Sequence, residues 1–371
     1  MKVYLDNAAT TKMDTEVVAL MHSIMQKHYG NPSSIYEYGR QARVIIENAR
    51  SSIAQLLKVR PAEIFFTSGG TESINTVVNG ALRHDDISTI ITSRIEHSAM
   101  LSSLNYYGKL YNKAIHYLAI DEEGHIDIDE LEKELSVAKG KCLVSLMHAN
   151  NELGTLLPLK KVSEHCRKHK AWFLSDTVQT MGKFKNNLSS GILDFAIGSA
   201  HKFHGPKGVG FMYINGENKI HPLLMGGSQE RNMRAGTENI AGIAGMAKAM
   251  EIAYANMENT TTQITQLKHY LIETIRKEIP YISFNGDING LPHLLNMGIK
   301  KTKHNELILM QFDIHGIFVS GGSACSSGAL KDSPVITAIG KAKKIRPIRL
   351  AMSKYTTKEE LDYFIEVLKN L

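Results

Sequence analysis

Cysteine is scarce in this 371-residue chain: Cys142, Cys166 and Cys325 are its only three, far apart and without a CxxC pair. Three such residues cannot build a disulfide framework, so the question is which thiol, if any, is reactive. No apolar run reaches 18 residues, which excludes a transmembrane helix. The opening MKVYLDNAATTKMD reaches an aspartate at position 6 and lacks the apolar stretch of a secretory signal. The expectation is a cytoplasmic protein without a membrane partner. Charge of one sign is also in short supply: 43 Lys and Arg against 37 Asp and Glu leave a net +6. Lys341, Lys343, Lys344, Arg346 and Arg349 do cluster, but no aromatics interleave with them. That pattern reads as a solvated face, and direct nucleic-acid binding is not expected. The phosphate loop GxxxxGK[ST], the dinucleotide fingerprint GxGxxG and the zinc helix HExxH are all missing. His165 and His169 share a helical face around Cys166, but neighbouring lysines make this an exposed polar face, and no metal site is expected.

What is present is ordinary globular material. Hydrophobic residues make up 43% and charged residues 22%, which excludes a mostly disordered chain. The length suggests about two domains, and each can bury a core without staples. Short apolar runs alternate with helical patterns: residues 64–66, ISTIITS, AIHYLAI, CLVSLMH, AWFLS, LDFAIG and VGFMYI. This predicts an α/β fold, a mainly parallel sheet covered by helices on both faces. A smaller α+β unit follows, with ISFNG and IFVSGG as strands and a closing helix capped at Thr356 or Thr357. Asn259 to Gln263 reads as a break between the two halves. The expected division is a large domain of residues 14–258 and a small one of residues 1–13 with 259–371.

Ligands in such sheets sit at the carboxyl ends of the strands. Those ends carry Thr67–Ser73 with two glycines, then Glu96-His97, Asn150-Asn151-Glu152, Asp176 with Gln179, and Ser199-Ala-His201-Lys202. Each has a bland explanation alone; five polar ends of different chemistry in a row are harder to dismiss. Together they suit pyridoxal 5'-phosphate, which needs an amine, an anion pocket and a carboxylate for its ring nitrogen. Lys202 can supply the amine, Asp176 the carboxylate, and Thr71 with Ser199 the phosphate contacts.

The stretches YLDNAATT, GNPSS, FTSGGTESIN, EHSAM, HANNELG, SDTVQ, GSAHKFHGPKGVG, RAGTENI, SGGSACSSGAL and IRLAMSKYTTKEELD occur in that order along nearly the whole chain. In them the chain resembles the cysteine desulfurases, the NifS/IscS-like branch of the class V aminotransferases with fold type I. The resemblance implies that Lys202 carries the cofactor, Asp176 pairs with its ring nitrogen, and Gln179 bonds its ring oxygen. His97 would lie on the ring face and help in proton transfer, and Asn151 would contact cofactor and substrate. Gly70, Thr71, Ser199 and His201 would hold the phosphate. Thr237 would reach the phosphate of a partner subunit, which implies a homodimer. Arg349 would bind the carboxylate of L-cysteine, and Cys325 would take its sulfur as a persulfide, leaving L-alanine. A sulfur-acceptor protein would follow, either an iron–sulfur scaffold or a tRNA-thiolation sulfurtransferase. Around Arg349 the family reads SIRxSxG, whereas Ala351 and Ser353 stand here. Two other readings compete: another class V enzyme (an aminotransferase or selenocysteine lyase), or a silent scaffold of the same fold.

Overall fold

The computed structural model describes residues 1–302, 304–322 and 332–371. Among these, the strands are β1 (Val3–Tyr4), β2 (Ile64–Thr67), β3 (Ile87–Ser93), β4 (Ala114–Leu118), β5 (Lys141–Ser145), β6 (Trp172–Asp176), β7 (Phe195–Ser199), β8 (Gly210–Ile214), β9 (Ser283–Asn285), β10 (Leu294–Lys300), β11 (Ile317–Phe318) and β12 (Ile345–Ala351). The helices are α1 (Thr15–Lys27), α2 (Glu37–Leu57), α3 (Gly70–Leu82), α4 (Ser98–Leu110), α5 (Ile128–Val137), α6 (Leu159–Lys168), α7 (Ile240–Ala255), α8 (Met257–Glu278), α9 (Ile308–Ile314), α10 (Pro334–Ala338) and α11 (Lys358–Asn370).

Seven strands form one sheet in the order β2-β8-β7-β6-β5-β3-β4. Strands β3 to β7 pair in parallel, and β8 runs against both its neighbours. Successive side chains point to opposite faces, so each central strand feeds two cores. Val144, Phe173, Ala196 and Phe211 pack with α2, α5, α6 and α7 on one face. Leu143, Leu174, Ile197 and Met212 pack with α3 and α4 on the other. Residues apolar on both faces are what a sheet covered on both sides requires. Cys142 and Cys166 lie in the first of these cores, where burial pushes the Cys142 thiol up to about 11 and raises that of Cys166 as well. His165 and His169, on either side of Cys166, both contact the Glu132 carboxylate, at 2.5 and 3.1 Å.

The second body is a three-stranded antiparallel sheet, β12-β10-β9, packed with α8, α9 and α11. The N-terminus joins it: β1 pairs with β11, and Val3 and Leu5 enter its core. The expected break at 259–263 does not occur. α7 ends at Ala255, and α8 begins at Met257 and runs through the threonines. Asn256 makes the break, its side chain and backbone amides both returning to Ile252 O. Thr262 Oγ1 donates to Glu258 O, so its hydroxyl is satisfied inside the helix. α11 starts as expected, with a capping box between Thr357 and Glu360.

One segment is strained. Glu230, Arg231 and Asn232 follow one another at φ 45°, 55° and 67°. A left-handed residue with a side chain costs roughly 1–2 kcal/mol. The anchor is a buried ion pair: Glu230 accepts from Arg50 Nη1 at 2.7 Å and Nη2 at 2.8 Å, and from the Phe66 amide at 2.8 Å. Removing one partner of such a pair costs about 3–5 kcal/mol. Glu230→Ala is therefore expected to lower the urea midpoint of unfolding markedly. An unchanged midpoint would show that the pair does not hold the segment.

Candidate active site

The carboxyl ends of β2, β3, β5, β6 and β7 open on one cavity of about 250 Å³. Gly70, Thr71, His97, Asn151, Asp176, Gln179, Ser199, His201, Lys202 and Arg349 all line it. Thr237 does not. It is exposed in a separate hollow beside Arg234 and Glu238. Cys325 lies outside the described residues.

Glycine shapes one end of the cavity. Gly69 caps α3 at φ 150°, and the strands behind it meet backbone to backbone: a Cβ on Gly210 would stand 2.7 Å from Gly69 Cα. The first amides of α3 thus open beside Ser199, as an anion site at a helix N-terminus requires. His201 follows on a short 3₁₀ turn, its Nδ1 3.2 Å from Thr10 Oγ1. Burial, aided by Lys202, Lys207 and Lys183, pushes its imidazole down to about 4. At neutral pH it is therefore a hydrogen-bonding group, not a cation.

On the same turn Lys202 Nζ donates to Ala8 O at 2.7 Å and Ala9 O at 2.8 Å. Gln179 Nε2 reaches the same Ala8 O at 3.0 Å, and its Oε1 is buried with no protein partner. Asp176 ends β6 with Oδ1 accepting the Val178 amide at 3.0 Å. Burial raises its carboxyl, and His97, the Val178 amide and Lys202 pull the other way. His97 caps α4: its Nδ1 accepts the Ala99 amide at 3.1 Å, which leaves the neutral ring's proton on Nε2.

Arg349 closes the other end of the cavity and is 1% exposed. It donates to Asp6 Oδ1 at 2.7 Å and Asn151 O at 2.9 Å, and its Nε is buried without a partner. Its backbone pairs with Ser320, two residues before Gly322. The two ends of segment 323–331 then meet at one carboxylate. Ser333 Oγ donates to Glu152 Oε2 at 2.5 Å, and a Cβ on Gly322 would stand 2.8 Å from that same oxygen. Glu152 follows Asn151 directly, so Gly322 and Ser333 stand beside the cavity.

Three of these residues carried no role from sequence. Asp6 and Glu152 stand inside the quoted motifs YLDNAATT and HANNELG, yet only the fold sets them against Arg349 and Gly322. Glu96 accepts from the Met147 amide at 2.9 Å and Ser93 Oγ at 3.1 Å. Burial pushes its carboxyl up to about 8, and the charge of Asp176 adds to the shift. Neither departure from SIRxSxG lines the cavity. Ala351 is buried against Asn7, whose side chain donates to its carbonyl at 2.8 Å, and Ser353 Oγ accepts the Tyr355 amide at 3.3 Å.

Residues 3–364 match the family described as aminotransferase class-V. Over 377 aligned residues the chain is 43% identical to the cysteine desulfurase IscS of Dictyoglomus turgidum, covering 100% of this chain and 94% of that one. A solved NifS-like protein superimposes with a TM-score of 0.91 at 35% identity, over 100% and 99% of the two chains. The structure of SspA in complex with cysteine superimposes at 0.82 with 27% identity, over 96% and 100%. The chain belongs to the class V aminotransferases and, within them, to the cysteine desulfurases of the NifS/IscS branch.

Proposed function

We propose that the protein is a pyridoxal-phosphate-dependent cysteine desulfurase that converts L-cysteine to L-alanine and leaves a persulfide on Cys325. The observation that carries this is the convergence of Lys202, Asp176, His97 and Arg349 on one cavity beside the roots of the Cys325 segment. The donor set fits the cofactor. A carboxylate as deep as Asp176 stays ionised when a cation faces it, and a protonated ring nitrogen is one. The helix N-terminus at Gly70 suits a phosphate, and Gln179 offers an unfilled buried acceptor. When bound, pyridoxal phosphate supplies an electron sink for the pair released at the substrate's Cα.

The chain's own residues do the rest. Lys202 Nζ would hold the cofactor and is the amine that would take the Cα proton. His97 Nε2 is a second site that can hold or return a proton. Asp176, buried away from bulk water, would keep the ring nitrogen protonated. Arg349 receives the substrate carboxylate with its fork and its unpartnered Nε, and Asp6 and Asn151 fix its direction. The Cys325 thiolate attacks the substrate sulfur; the carbon–sulfur bond breaks, and that sulfur remains as a persulfide. Overall, L-cysteine and one thiol become L-alanine and one persulfide, with no outside oxidant.

The sequence division, 14–258 against 1–13 with 259–371, is on this reading a cofactor-bearing unit and one that brings Arg349 and Cys325 to it. That Thr237 is exposed and away from its own chain's cavity supports the reading that it serves a partner subunit in a homodimer. The enzyme acts in the cytoplasm and hands sulfur to an iron–sulfur scaffold or a tRNA-thiolation sulfurtransferase.

The test is the product balance: L-cysteine alone, with no keto acid, is to give alanine and reducible sulfur together. A requirement for a keto acid would instead identify an aminotransferase. Arg349→Ala is expected to raise the KM for cysteine by at least about 30-fold. Losing one member of a buried charge-assisted pair costs about 2–5 kcal/mol. The visible band of the bound cofactor should be unchanged. A near-normal KM would mean that another cation, such as Arg346, holds the carboxylate.

A further inference from the structure

The edge of the small sheet carries a charge pattern that the cavity does not use. β10 and β12 pair with Ile299 opposite Arg346 and Lys300 opposite Ile345, and the Lys301 amide donates to Lys344 O at 3.0 Å. This register gathers Lys300, Lys301, Lys341, Lys343, Lys344 and Arg346 from two distant stretches of sequence. Lys300, Lys343 and Lys344 are exposed. Lys301 Nζ is ion-paired with Asp332 Oδ1 at 2.6 Å. Among the described residues the other five have no ion-paired carboxylate. A chain with a net charge of only +6 thus concentrates much of its excess here, at a cost in self-repulsion.

An apolar stripe adjoins this edge. Leu307, Met310 and Ile314 recur at one-turn spacing and are 53%, 61% and 81% exposed, while Ile308 and Phe312 fill the buried side of α9. Asn305 joins stripe and edge: its Oδ1 accepts from Arg346 Nε at 3.0 Å, and its Nδ2 donates to Lys300 O at 2.8 Å. An apolar anchor with a charged rim is the anatomy of a protein interface. A nucleic-acid track would call for aromatics among the cations. The face also borders both ends of the segment that contains Cys325. Gly321 packs against Leu309, and Asp332 is bonded to Lys301.

We propose that this face docks the sulfur acceptor, a protein whose thiol lies within an acidic surface. The inference rests on the desulfurase reading and names the chemistry of its partner. In the transfer, the acceptor thiolate attacks the outer sulfur of the Cys325 persulfide. One S–S bond forms as the other breaks, and the electron pair leaves on the Cys325 sulfur. The basic edge steers the acidic partner, so transfer is salt-sensitive while cysteine turnover is not.

The probe is a synthetic peptide with one cysteine among aspartates and glutamates, compared with its Asn/Gln counterpart. The wild-type holoenzyme supplied with L-cysteine should pass sulfur to the acidic peptide at least about 10-fold faster at low salt. That preference should vanish in the Lys343→Glu, Lys344→Glu double variant, whose sulfide release to dithiothreitol should match wild type. Equal rates for the two peptides, or a preference that survives the double substitution, overturn the docking proposal and leave the desulfurase reading standing. Transfer RNA bound by wild type and lost by the variant, with no preference between peptides, reassigns the face to nucleic acid and also overturns it. No sulfide release by wild type would overturn the desulfurase reading and this inference with it.

Discussion

Lys202→Ala is expected to leave a folded protein that borohydride can no longer fix to its cofactor. The visible band of covalently held pyridoxal phosphate should disappear. Turnover of cysteine should fall by about 10²–10⁴-fold from the lost proton transfer alone. The physical competitor is Lys183. Burial first, then the charge of Lys202, brings its amine down to about 7, so it is an amine able to react at neutral pH. It does not line the cavity, however, and its Nζ is hydrogen-bonded with His293 Nε2 at 3.1 Å. Lys207, the other lysine of the GPKG stretch, is exposed. Lys202 is the lysine that lines the cavity, presented by the turn that follows β7. Fixation that persists in the variant, at Lys183 or Lys207, would contradict the assignment.

Cys325→Ala should retain the cofactor band and still bind cysteine, and then stall. No persulfide should form, and alanine should appear only in traces. Serine should fare no better, because a hydroxyl is far less acidic than a thiol and oxygen attacks divalent sulfur poorly. The other two thiols cannot substitute. Cys142 and Cys166 are buried in the core between sheet and helices, where desolvation disfavours both thiolates. Cys142→Ala and Cys166→Ala should therefore form persulfide as wild type does. Alanine and sulfide released at the wild-type rate by Cys325→Ala would contradict this role.

Much of the candidate site is legible because most of its groups sit just after an apolar run, and the doubly covered sheet turns run ends into one surface. Lys202 and Asp176, with Thr71 and Ser199, can be read this way from the pattern of strands alone, and His97 only as a polar strand end without a role. The roles of Arg349 and Cys325 came from the resemblance. What the pattern could not show was convergence at long range. Asp6 and Arg349 meet across a separation of 343 residues, and Glu152 joins Gly322 to Ser333. The misplaced break at 259–263 has a local cause. A threonine run is a poor helix former on propensity, yet Thr262 bonds back into the helix and Ile264 reaches the second core. The break falls instead at Asn256, between two helices that sequence alone reads as nearly continuous. The basic run near the C-terminus read as a solvated face because its other half, Lys300 and Lys301, joins it only through strand pairing.

Where the substrate's sulfur goes decides whether Cys325 acts as assigned. The most direct measurement incubates the wild-type holoenzyme with L-cysteine in the absence of reductant and keto acid, counts the alanine released, and maps added mass by peptide mass spectrometry. The predicted result is one alanine per additional sulfur, with that sulfur on the Cys325 peptide and removable by dithiothreitol. Alanine without added sulfur on that peptide, or sulfur found on Cys142 or Cys166 alone, would contradict it.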